Sequence, residues 1–362
     1  MSKITSSSGF VLHKAPTKDL NFNLEAEDAT FKLVERPIHE LKKGELLVKT
    51  LYLSNDPTQR VWIQKGIKRE NLYVEPVREG DQMRSSALGV VVDSKSPKFK
   101  KGDIINATLK WFDYCVIPDY LATHKIEDTS IPLTMYLDVL GVTGLTAYFG
   151  LFKVVNLKAT DTILVSAASG ATGSMVVQMA KKVIGCKKVI GISGGDDKCK
   201  FVESLGADKC LNYKDANFTK NLATVLGKDK FDYFFDGVGG RILDLGLGCL
   251  KNFGTCIACG AISGYNDLEK SKISNWSHII VKRLNVKGFI VLDYEKQFQR
   301  AITDILQWYK EGKIQINQST VTVVDLSKTK DQFTKVPQSW GMLFTSDKGP
   351  GKLLTKVAEP KL

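Results

Sequence analysis

Residues 162–185 read TILVSAASGATGSMVVQMAKKVIG and are the strongest indication of the fold. The first five of these residues form a short apolar run, which is typical of a strand buried on both faces of a parallel sheet. From Val176 onward, apolar side chains recur at i, i+3, i+4, i+7 and i+8, so we predict a helix over residues 174–185 that ends at Gly185. A strand, a glycine-containing turn and a helix in this order are typical of a nucleotide-binding unit.

Elements of the same kind continue after this stretch. The sequence predicts further strands at residues 188–193, 209–212, 231–235 and 255–258, and helices at residues 198–205, 217–226 and 297–310. Buried strands that alternate with helices are the pattern of a parallel α/β sheet. We therefore predict a Rossmann-type domain over residues 134–312.

The two ends of the chain follow a different pattern. Short strands separated by turns are predicted at residues 45–53, 87–92 and 319–324. We expect the C-terminal strand-rich segment to rejoin the N-terminal one. The prediction is therefore a discontinuous β-rich domain, made of residues 1–133 and 313–362, into which the Rossmann-type domain is inserted.

Composition narrows the class of protein. The chain has 362 residues, of which 43% are hydrophobic and 25% charged, as in an ordinary globular protein with two domains. The formal net charge is +12, but the lysines are spread along the whole chain, which argues against nucleic acid as the main partner. A basic protein of this kind can equally bind an anionic cofactor.

The compartment is predicted from what the sequence contains. Seven cysteines, an odd number spread through a large chain, indicate free thiols in a reducing environment. No signal peptide is evident, and the apolar runs are too short and too rich in glycine to span a membrane. We expect a cytoplasmic protein without a membrane partner, although Pro360-Lys361-Leu362 loosely resembles a peroxisomal address.

The turn after the first Rossmann strand is a candidate phosphate cradle. Gly170 would let the backbone approach a pyrophosphate, and Gly173 would let the helix pack closely on the strand, while the helix N-terminus offers N–H groups to the anion. Ala168 stands where the G-x-G-x-x-G fingerprint has its first glycine. The alternative is a structural turn without a ligand, but the order of strand, turn and helix favours a cofactor site.

The residues beyond the second Rossmann strand indicate which cofactor binds. An NAD enzyme usually has Asp or Glu at the end of this strand to hold the ribose 2′-hydroxyl. Here the strand ends without a carboxylate until Asp196, whereas Ser193, Lys198 and Tyr213 could bind a 2′-phosphate. Lys198 could instead be an ordinary solvated helix residue. We predict NADPH in preference to NADH.

The sequence lacks the residues of a zinc site. It has four histidines, none in a Gly-His-Glu motif, and we interpret Cys256 and Cys259 as small core residues. Without a zinc ion to polarise a carbonyl, alcohol oxidation loses its usual electrophile. Reduction of an enal, an enone or a quinone does not need a metal electrophile, since hydrogen bonds from a tyrosine or ribose hydroxyl can stabilise the enolate oxygen.

Five motifs carry a resemblance to a known family: GVTGLTAYFG (141–150), AASGATG (167–173), LNYK (211–214), FDGVGG (235–240) and CGAISGYN (259–266). They resemble the medium-chain dehydrogenase/reductase superfamily, and within it the zinc-free branch of prostaglandin reductases and NADP-dependent alkenal double-bond reductases. The resemblance implies an α/β protein with a GroES-like β-rich catalytic domain and a Rossmann doubly wound parallel-sheet domain. It also implies NADPH as cofactor and a homodimer.

The same resemblance assigns roles to particular residues. Tyr265 matches a tyrosine that hydrogen-bonds the substrate carbonyl, and the substrate pocket would include Asp56, Thr58 and Arg60. The implied cofactor contacts are Ala168, Gly170, Ala171, Thr172, Gly173, Ser193, Lys198, Tyr213, Cys259, Ile262, Phe289 and Gly349.

Three positions depart from the family's pattern. Thr58 replaces a tyrosine, and Gly237 and Gly349 each stand where the branch has asparagine. These departures affect the shape of the pocket and the nicotinamide end of the site.

The sequence supports one main hypothesis and several rivals. NADPH would lie across the strand ends of the Rossmann domain, with its nicotinamide facing the cleft between the domains, and would transfer hydride to the β-carbon of an enal or enone. Tyr265 would hydrogen-bond the enolate oxygen. The rivals are a quinone reductase on the same fold, a non-catalytic protein that binds NADPH and RNA, and a structural protein that has lost the chemistry.

Overall fold

The computed structural model describes residues 4–128, 130–227, 230–317, 319–345 and 348–360. Residues 361 and 362 of the C-terminal tripeptide lie outside this range. The strands are β1 (Ser6–Leu12), β2 (Phe31–Pro37), β3 (Glu45–Asn55), β4 (Arg84–Ser94), β5 (Ile104–Lys110), β6 (Tyr114–Pro118), β7 (Ala122–Lys125), β8 (Thr162–Val165), β9 (Lys188–Ser193), β10 (Lys209–Asn212), β11 (Phe231–Asp236), β12 (Leu250–Ala258), β13 (Asn285–Gly288), β14 (Val321–Asp325) and β15 (Lys352–Lys356).

The α-helices are α1 (Gln59–Trp62), α2 (Val142–Phe149), α3 (Ala171–Gln178), α4 (Asp196–Ser204), α5 (Phe218–Leu226), α6 (Gly240–Cys249), α7 (Ser277–Lys282), α8 (Phe298–Lys310) and α9 (Val336–Gly341). Two of them continue as π-helical turns, α2 through Gly150–Val154 and α3 through Met179–Ile184. Short 3-10 helices lie at Arg69–Asn71, Asp119–Leu121, Leu133–Leu137, Ile262–Gly264, Leu268–Ser271, Val291–Gln297, Lys330–Lys335 and Met342–Phe344.

The chain divides into two compact units. The first contains the residues up to Leu137, then Thr322–Lys348 and the residues from Leu353, and the second contains Asp138–Val321 and Gly349–Lys352. The predicted domain boundaries were at 133/134 and 312/313, so the second unit extends further along the chain than expected.

Side-chain and backbone contacts explain the difference in the second boundary. The side chain of Gln178 accepts a hydrogen bond from the backbone N–H of Gln315 at 2.7 Å. Thr320 accepts one from the N–H of Lys352 at 2.8 Å. These contacts hold residues 313–321 and 349–352 on the nucleotide-binding unit, and nothing in a local hydrophobic pattern could have predicted them.

The second unit is a doubly wound parallel sheet. Its strand order is β10-β9-β8-β11-β12-β13, and every neighbouring pair is parallel. In chain order within the unit this is 3-2-1-4-5-6, the order of a dinucleotide-binding Rossmann fold. All four residues of β8 are buried, which confirms the prediction that the apolar run beginning at Thr162 is a strand buried on both faces.

Local predictions in this unit agree closely with the structure. The strands predicted at residues 188–193 and 209–212 are β9 and β10, residue for residue. Helix α3 begins three residues earlier than predicted because Gly170, with extended backbone, already caps it. Gly185 ends the helical run in the left-handed conformation with φ 79°, as its position predicted.

The first unit is built from β-sheets. Its larger sheet has the order β14-β15-β3-β4-β5-β7, with β6 also paired to β3, and β1 pairs with β2 separately. Strand β15 comes from the C-terminal segment and runs antiparallel to β3, from Leu353 opposite Asn55 to Lys356 opposite Tyr52. The core beneath these sheets includes the indole of Trp111 against that of Trp340, with ring centroids 5.8 Å apart.

Candidate functional site

The site of the second unit begins where the strand order reverses. Strands β8 and β11 are neighbours, but the chain winds outward from them in opposite directions, and ligands bind at the carboxyl ends of such strands. Directly after β8, the hydroxyl of Ser166 donates to the carboxylate of Asp236 at the end of β11, at 2.6 Å. This edge carries the turn of residues 167–173 and the turn of residues 237–240.

The first turn presents backbone N–H groups to an anion. Gly170 caps α3 without a side-chain hydrogen bond, and the first N–H groups of a helix have no partner within it. A Cβ on Gly173 would lie 2.3 Å from the carbonyl oxygen of Ala167, so only glycine allows this close packing. A Cβ on Gly170 would meet only that same oxygen, at 3.1 Å, which leaves the space beyond the turn open. The turn therefore fits a pyrophosphate held by the N–H groups of Ala171 and Thr172.

Ala168, a predicted cofactor contact, has its side chain inside the fold. Its side chain is fully buried, and its N–H donates to the carbonyl of Ile192 in β9 at 3.0 Å. It packs the turn onto the neighbouring strand, so the structure gives it an internal position where the fingerprint has glycine.

Asp236 organises the second turn and was missed by the sequence analysis. Its carboxylate accepts the N–H groups of Val238 at 3.1 Å and Gly239 at 2.9 Å, and its backbone carbonyl accepts the N–H of Cys259 at 2.8 Å. Burial raises the pKa of this carboxyl group, although the hydrogen bond from Ser166 and those from the backbone act in the opposite direction. An acid followed by glycines at a strand end was the available signal.

The end of β9 forms the ribose side of the site. The hydroxyls of Ser169 and Ser193 lie 2.5 Å apart and join the phosphate turn to this strand. Tyr213 donates its N–H to the carbonyl of Ser193 at 2.9 Å. A Cβ on Gly194 would lie 2.8 Å from the Tyr213 hydroxyl, so the phenol packs directly over the glycine backbone. The predicted residues Ser193 and Tyr213 are therefore brought together.

Lys198 lies beside this cluster as a cation without a carboxylate partner among the residues that the structure describes. It is half-buried in the first turn of α4, and its pKa is lowered by burial and, to a smaller extent, by the positive charge of Lys214. Two neighbouring cations, one of which directly follows Tyr213 in the chain, suit a doubly charged phosphate monoester. The residues present fit a dinucleotide with a 2′-phosphate.

Tyr265 lies at the same edge of the sheet, beyond β12. Its hydroxyl is 3.4 Å from the backbone nitrogen of Ala261, and a Cβ on Gly260 would lie 3.4 Å from that hydroxyl. Gly237 is open on its side-chain side, since a Cβ there would meet only Ala167, at 4.0 Å. The phenol is thus placed over a floor of glycine backbone. The departure from asparagine at Gly237 leaves room on this floor.

The other predicted contacts of the second unit lie around this floor. Ile262 donates its N–H to the carbonyl of Gly237 at 3.4 Å and begins the 3-10 turn that leads to Tyr265. Phe289 follows β13 and meets the ring of Phe235 edge-on, with centroids 6.5 Å apart.

The two cysteines of β12 differ in position. Cys256 is fully buried in the strand, as predicted, whereas Cys259 follows the end of the strand and is half-buried. Burial raises the pKa of Cys259 to about 12, with a smaller effect from the negative charge of Asp236. The thiol is therefore protonated at neutral pH. It does not act as a nucleophile in that form.

The segment that carries Gly349 returns to the phosphate turn. Gly351 donates its N–H to the carbonyl of Ser169 at 2.7 Å and forms an isolated parallel bridge with Gly170. A Cβ on Gly351 would lie 1.8 Å from the carbonyl oxygen of Thr320, and its φ is 77°, so this position requires glycine. The predicted contact Gly349 is therefore held two residues from the cradle.

The predicted substrate residues lie in the first unit. The carboxylate of Asp56 accepts the Ser54 hydroxyl at 2.5 Å, and the hydroxyl of Thr58 lies 2.9 Å from that of Tyr73. Thr58 and Tyr73 are accessible and could face a ligand.

Arg60 is different. It is fully buried and donates to the side chain of Gln64 at 2.7 Å and the carbonyl of Lys18 at 2.9 Å. This position differs from the predicted substrate contact, because the guanidinium satisfies groups inside its own unit.

The described residues offer neither a metal cluster nor a membrane-spanning helix. Within that part of the chain, no group of three or more His, Cys, Asp or Glu side chains could hold a metal ion. None of the described helices combines the length and the apolar character that crossing a membrane requires.

Comparison with known proteins identifies the family. The model for an N-terminal domain of oxidoreductases matches residues 18–125, and the model called zinc-binding dehydrogenase matches residues 171–307. A Saccharomyces cerevisiae protein described as an uncharacterized membrane protein is 38% identical over 96% of this chain and 97% of its own length. Prostaglandin reductase 1 of Mus musculus is 33% identical over 91% of this chain and 94% of its own.

Two further comparisons give the same result. The NADP(+)-dependent 2-alkenal reductase of Nicotiana tabacum is 34% identical over 81% of this chain and 83% of its own. The crystal structure of CurA from Vibrio vulnificus in complex with NADPH superimposes with a TM-score of 0.83 and 30% identity, and covers 98% of this chain and 100% of that one. The chain belongs to the medium-chain dehydrogenase/reductase superfamily of oxidoreductases, in the branch that contains prostaglandin reductase and 2-alkenal reductase.

Proposed function

We propose that this protein reduces the carbon–carbon double bond of α,β-unsaturated aldehydes and ketones with NADPH, by hydride transfer to the β-carbon and without zinc. The observation that carries the proposal is the Tyr265 hydroxyl over the glycine floor of residues 237 and 260. A neutral phenol there can donate a hydrogen bond to a carbonyl oxygen without removing a proton from the substrate. The relatives named for prostaglandin and 2-alkenal reduction support the same reaction class.

The choice of NADPH rests on the ribose side of the site. Lys198 lies near Lys214, which directly follows Tyr213 in the chain, and has no carboxylate partner among the described residues, so a 2′-phosphate would supply the missing negative charge. The homologous CurA was crystallised with NADPH, and a relative from tobacco is named for NADP dependence. We expect NADH to bind more weakly because it lacks this phosphate.

The residues of the chain would act as follows. NADPH supplies a hydride to the β-carbon when it is bound. The N–H groups at the start of α3 would hold the pyrophosphate, and Asp236 fixes the backbone of Val238 and Gly239 in the second turn. Tyr265 donates to the carbonyl oxygen of the substrate, where negative charge grows as the hydride arrives. A proton then goes to the α-carbon, from water or from Tyr265, and completes the saturated product.

The proposed function is tested by following NADPH oxidation with a medium-chain 2-alkenal. A quinone serves as the rival acceptor, and NADH as the cofactor control. Saturable oxidation with the alkenal and NADPH is expected. Turnover with the quinone alone would replace the proposal by quinone reduction, and tight NADPH binding without turnover would favour a non-catalytic binding protein.

The role of Tyr265 gives a sharper test. Tyr265→Phe should lower kcat/KM for the alkenal by about a hundredfold, because one donor to the developing oxyanion is lost. The dissociation constant for NADPH should not change. Tyr233→Phe is a matched control, since Tyr233 lies in β11 near Asp161 and Asp232, and it should keep full activity. Unchanged kinetics of Tyr265→Phe would remove this residue from the mechanism.

We also propose a cytoplasmic homodimer in which the edge strand β13 pairs with that of a second copy. All four residues of β13 are exposed, and nearby apolar side chains are too, with Trp276 at 60%, Ile280 at 67% and Val281 at 66% of their surface. An exposed sheet edge beside apolar side chains favours association. Sedimentation of the purified protein measures the mass of the assembly, and cell fractionation tests the compartment.

A further inference from the structure

The loop after β9 contains two carboxylates close to the proposed 2′-phosphate site. Asp196 and Asp197 are the first two residues of α4, and Lys198 is the third. Enzymes that prefer NADH place an acid near this point, where it binds the ribose 2′-hydroxyl and repels a 2′-phosphate. The proximity of these acids to the site of a dianion therefore needs a physical explanation.

Each of the two carboxylates has another partner. Asp196 accepts a hydrogen bond from the side-chain amide of Asn212 at 2.9 Å. Asp197 lies 3.5 Å from the ammonium of Lys200, one turn along the helix on the exposed surface. An exposed ion pair contributes little and exchanges readily with water. The hydrogen bond from the side-chain amide of Asn212 to Asp196 is therefore better defined than the ion pair of Asp197.

Asn212 makes two further hydrogen bonds to the backbone around the site. Its carbonyl oxygen accepts the N–H of Gly195 at 2.8 Å and the N–H of Lys214 at 3.0 Å. Gly195 caps α4 and has φ 111°, a conformation that side chains disfavour. One side chain thus fixes the start of the helix that carries Lys198 and the backbone of Lys214.

We propose that Asn212 determines the preference for NADPH over NADH as a positioning residue, by holding the Asp196 carboxylate away from the 2′-phosphate while it fixes the backbone on both sides. This inference rests on the proposed use of NADPH. The amide performs both tasks, because its oxygen accepts the two backbone N–H groups and its nitrogen donates to the acid. A carboxylate at position 212 would still accept the two backbone N–H groups, but it would repel Asp196 instead of donating to it.

The test compares dissociation constants for NADPH and NADH, measured by fluorescence titration of the full-length protein without substrate. Asn212→Ala should weaken NADPH binding by about tenfold, whereas NADH binding should change by less than about threefold. The double variant Asn212→Ala with Asp196→Ala removes the released carboxylate. It should recover NADPH binding to within about threefold of the unmodified protein.

A second variant covers the case in which Asn212→Ala does not fold. Asn212→Asp retains both acceptor bonds to the backbone but replaces the donor to Asp196 with a second negative charge, so it should fold and lose NADPH affinity selectively. Asn21→Ala is the matched control in the other unit, because Asn21 also accepts a backbone N–H, from Asn23 at 3.0 Å, and donates to an acid, Asp28, at 2.7 Å. This control should leave both dissociation constants unchanged.

Each other outcome overturns the inference. Equal weakening of NADPH and NADH would make Asn212 a general structural residue, and no change in either would remove it from the site. A selective loss of NADPH affinity in Asn212→Ala that the added Asp196→Ala does not restore would show that Asn212 does not act by holding the Asp196 carboxylate away from the phosphate. If the unmodified protein itself binds NADPH and NADH equally, the proposed cofactor fails. That result is read from the unmodified protein alone, before any variant is compared.

Discussion

Two cations that the sequence placed in binding sites have opposite surroundings in the structure. Arg60 of the first unit is fully buried, and its guanidinium donates to Gln64 and to the carbonyl of Lys18. Lys198 of the second unit is half-buried, has Lys214 as its charged neighbour and has no carboxylate partner within the described part of the chain. Burial lowers the pKa of both groups, that of Arg60 to about 10.

The difference lies in which groups stabilise the charge. Internal acceptors satisfy the guanidinium of Arg60, so its hydrogen bonds hold segments of the first unit together. Lys198 bears a charge that no carboxylate of the described residues neutralises, and a second cation makes the local potential more positive. A buried cation with internal partners stabilises the fold, whereas an accessible one without partners indicates a site for an external anion.

The largest effect is expected at Arg60. Arg60→Ala leaves the acceptors of Gln64 and Lys18 without their donor and opens a cavity, so the free energy of unfolding should fall by about 3 kcal/mol. Urea unfolding measures this change. The matched control is Arg69→Ala, since the exposed Arg69 pairs with Glu75 on the surface and should contribute less than about 1 kcal/mol. Normal stability with a selective loss of alkenal turnover would return Arg60 to the substrate pocket.

A smaller effect is expected at Lys198. Lys198→Ala should raise the dissociation constant for NADPH by about thirtyfold, or about 2 kcal/mol, because a charge-assisted contact to the 2′-phosphate is lost. NADH binding and the free energy of unfolding should stay close to those of the unmodified protein. Lys220→Ala on the exposed surface of α5 is the control for net charge. If NADPH and NADH binding weakened equally, Lys198 would not be a site for the 2′-phosphate, and the contrast with the internally bonded Arg60 would fail.

The smallest effect concerns pH. Burial and the charge of Lys214 lower the pKa of Lys198 in the protein without cofactor. A bound 2′-phosphate favours the charged form of Lys198. The affinity for NADPH is therefore highest below the pKa of Lys198 in the cofactor-free protein and falls as the pH rises through that pKa. The dissociation constant for NADPH should therefore rise by about threefold at a pH below the ordinary lysine value of about 10.4. Lys214→Ala should move this rise to higher pH. A flat profile for NADPH, like the one expected for NADH, would show that Lys198 does not bind the phosphate.

The extent to which the fold could be predicted depends on the range of the contacts. Strands β9 and β10 were predicted residue for residue. In β9, burial on both faces produces a continuous apolar run, whereas the edge strand β10 has only Cys210 and Leu211 buried. The end of α3 at Gly185 was also predicted, since a left-handed helix end favours glycine. The boundary near residue 321 was not, because it depends on Gln178 and Lys352, which are far apart in the sequence.

In the candidate site, too, the features built from local sequence were predictable and those built from long-range contacts were not. The phosphate turn was predictable because it is built from backbone, and glycine marks where backbone must come close. Asp236 and Asn212 were missed because their importance lies in hydrogen bonds to segments that other strands bring near. The internal hydrogen bonds of Arg60 were not predicted, because residue type alone does not distinguish an internal partner from a ligand.

Local periodicity and motifs of fixed spacing were enough to predict the alternation of strands and helices, the glycine turn and the family. The tertiary structure decided which charges are neutralised within the chain and which are not. Asp196 and Asn212 are 16 positions apart in sequence, yet their side chains meet at 2.9 Å because β9 and β10 are parallel neighbours. Electrostatic interactions act over a few ångströms of space, and only the folded sheet sets those distances.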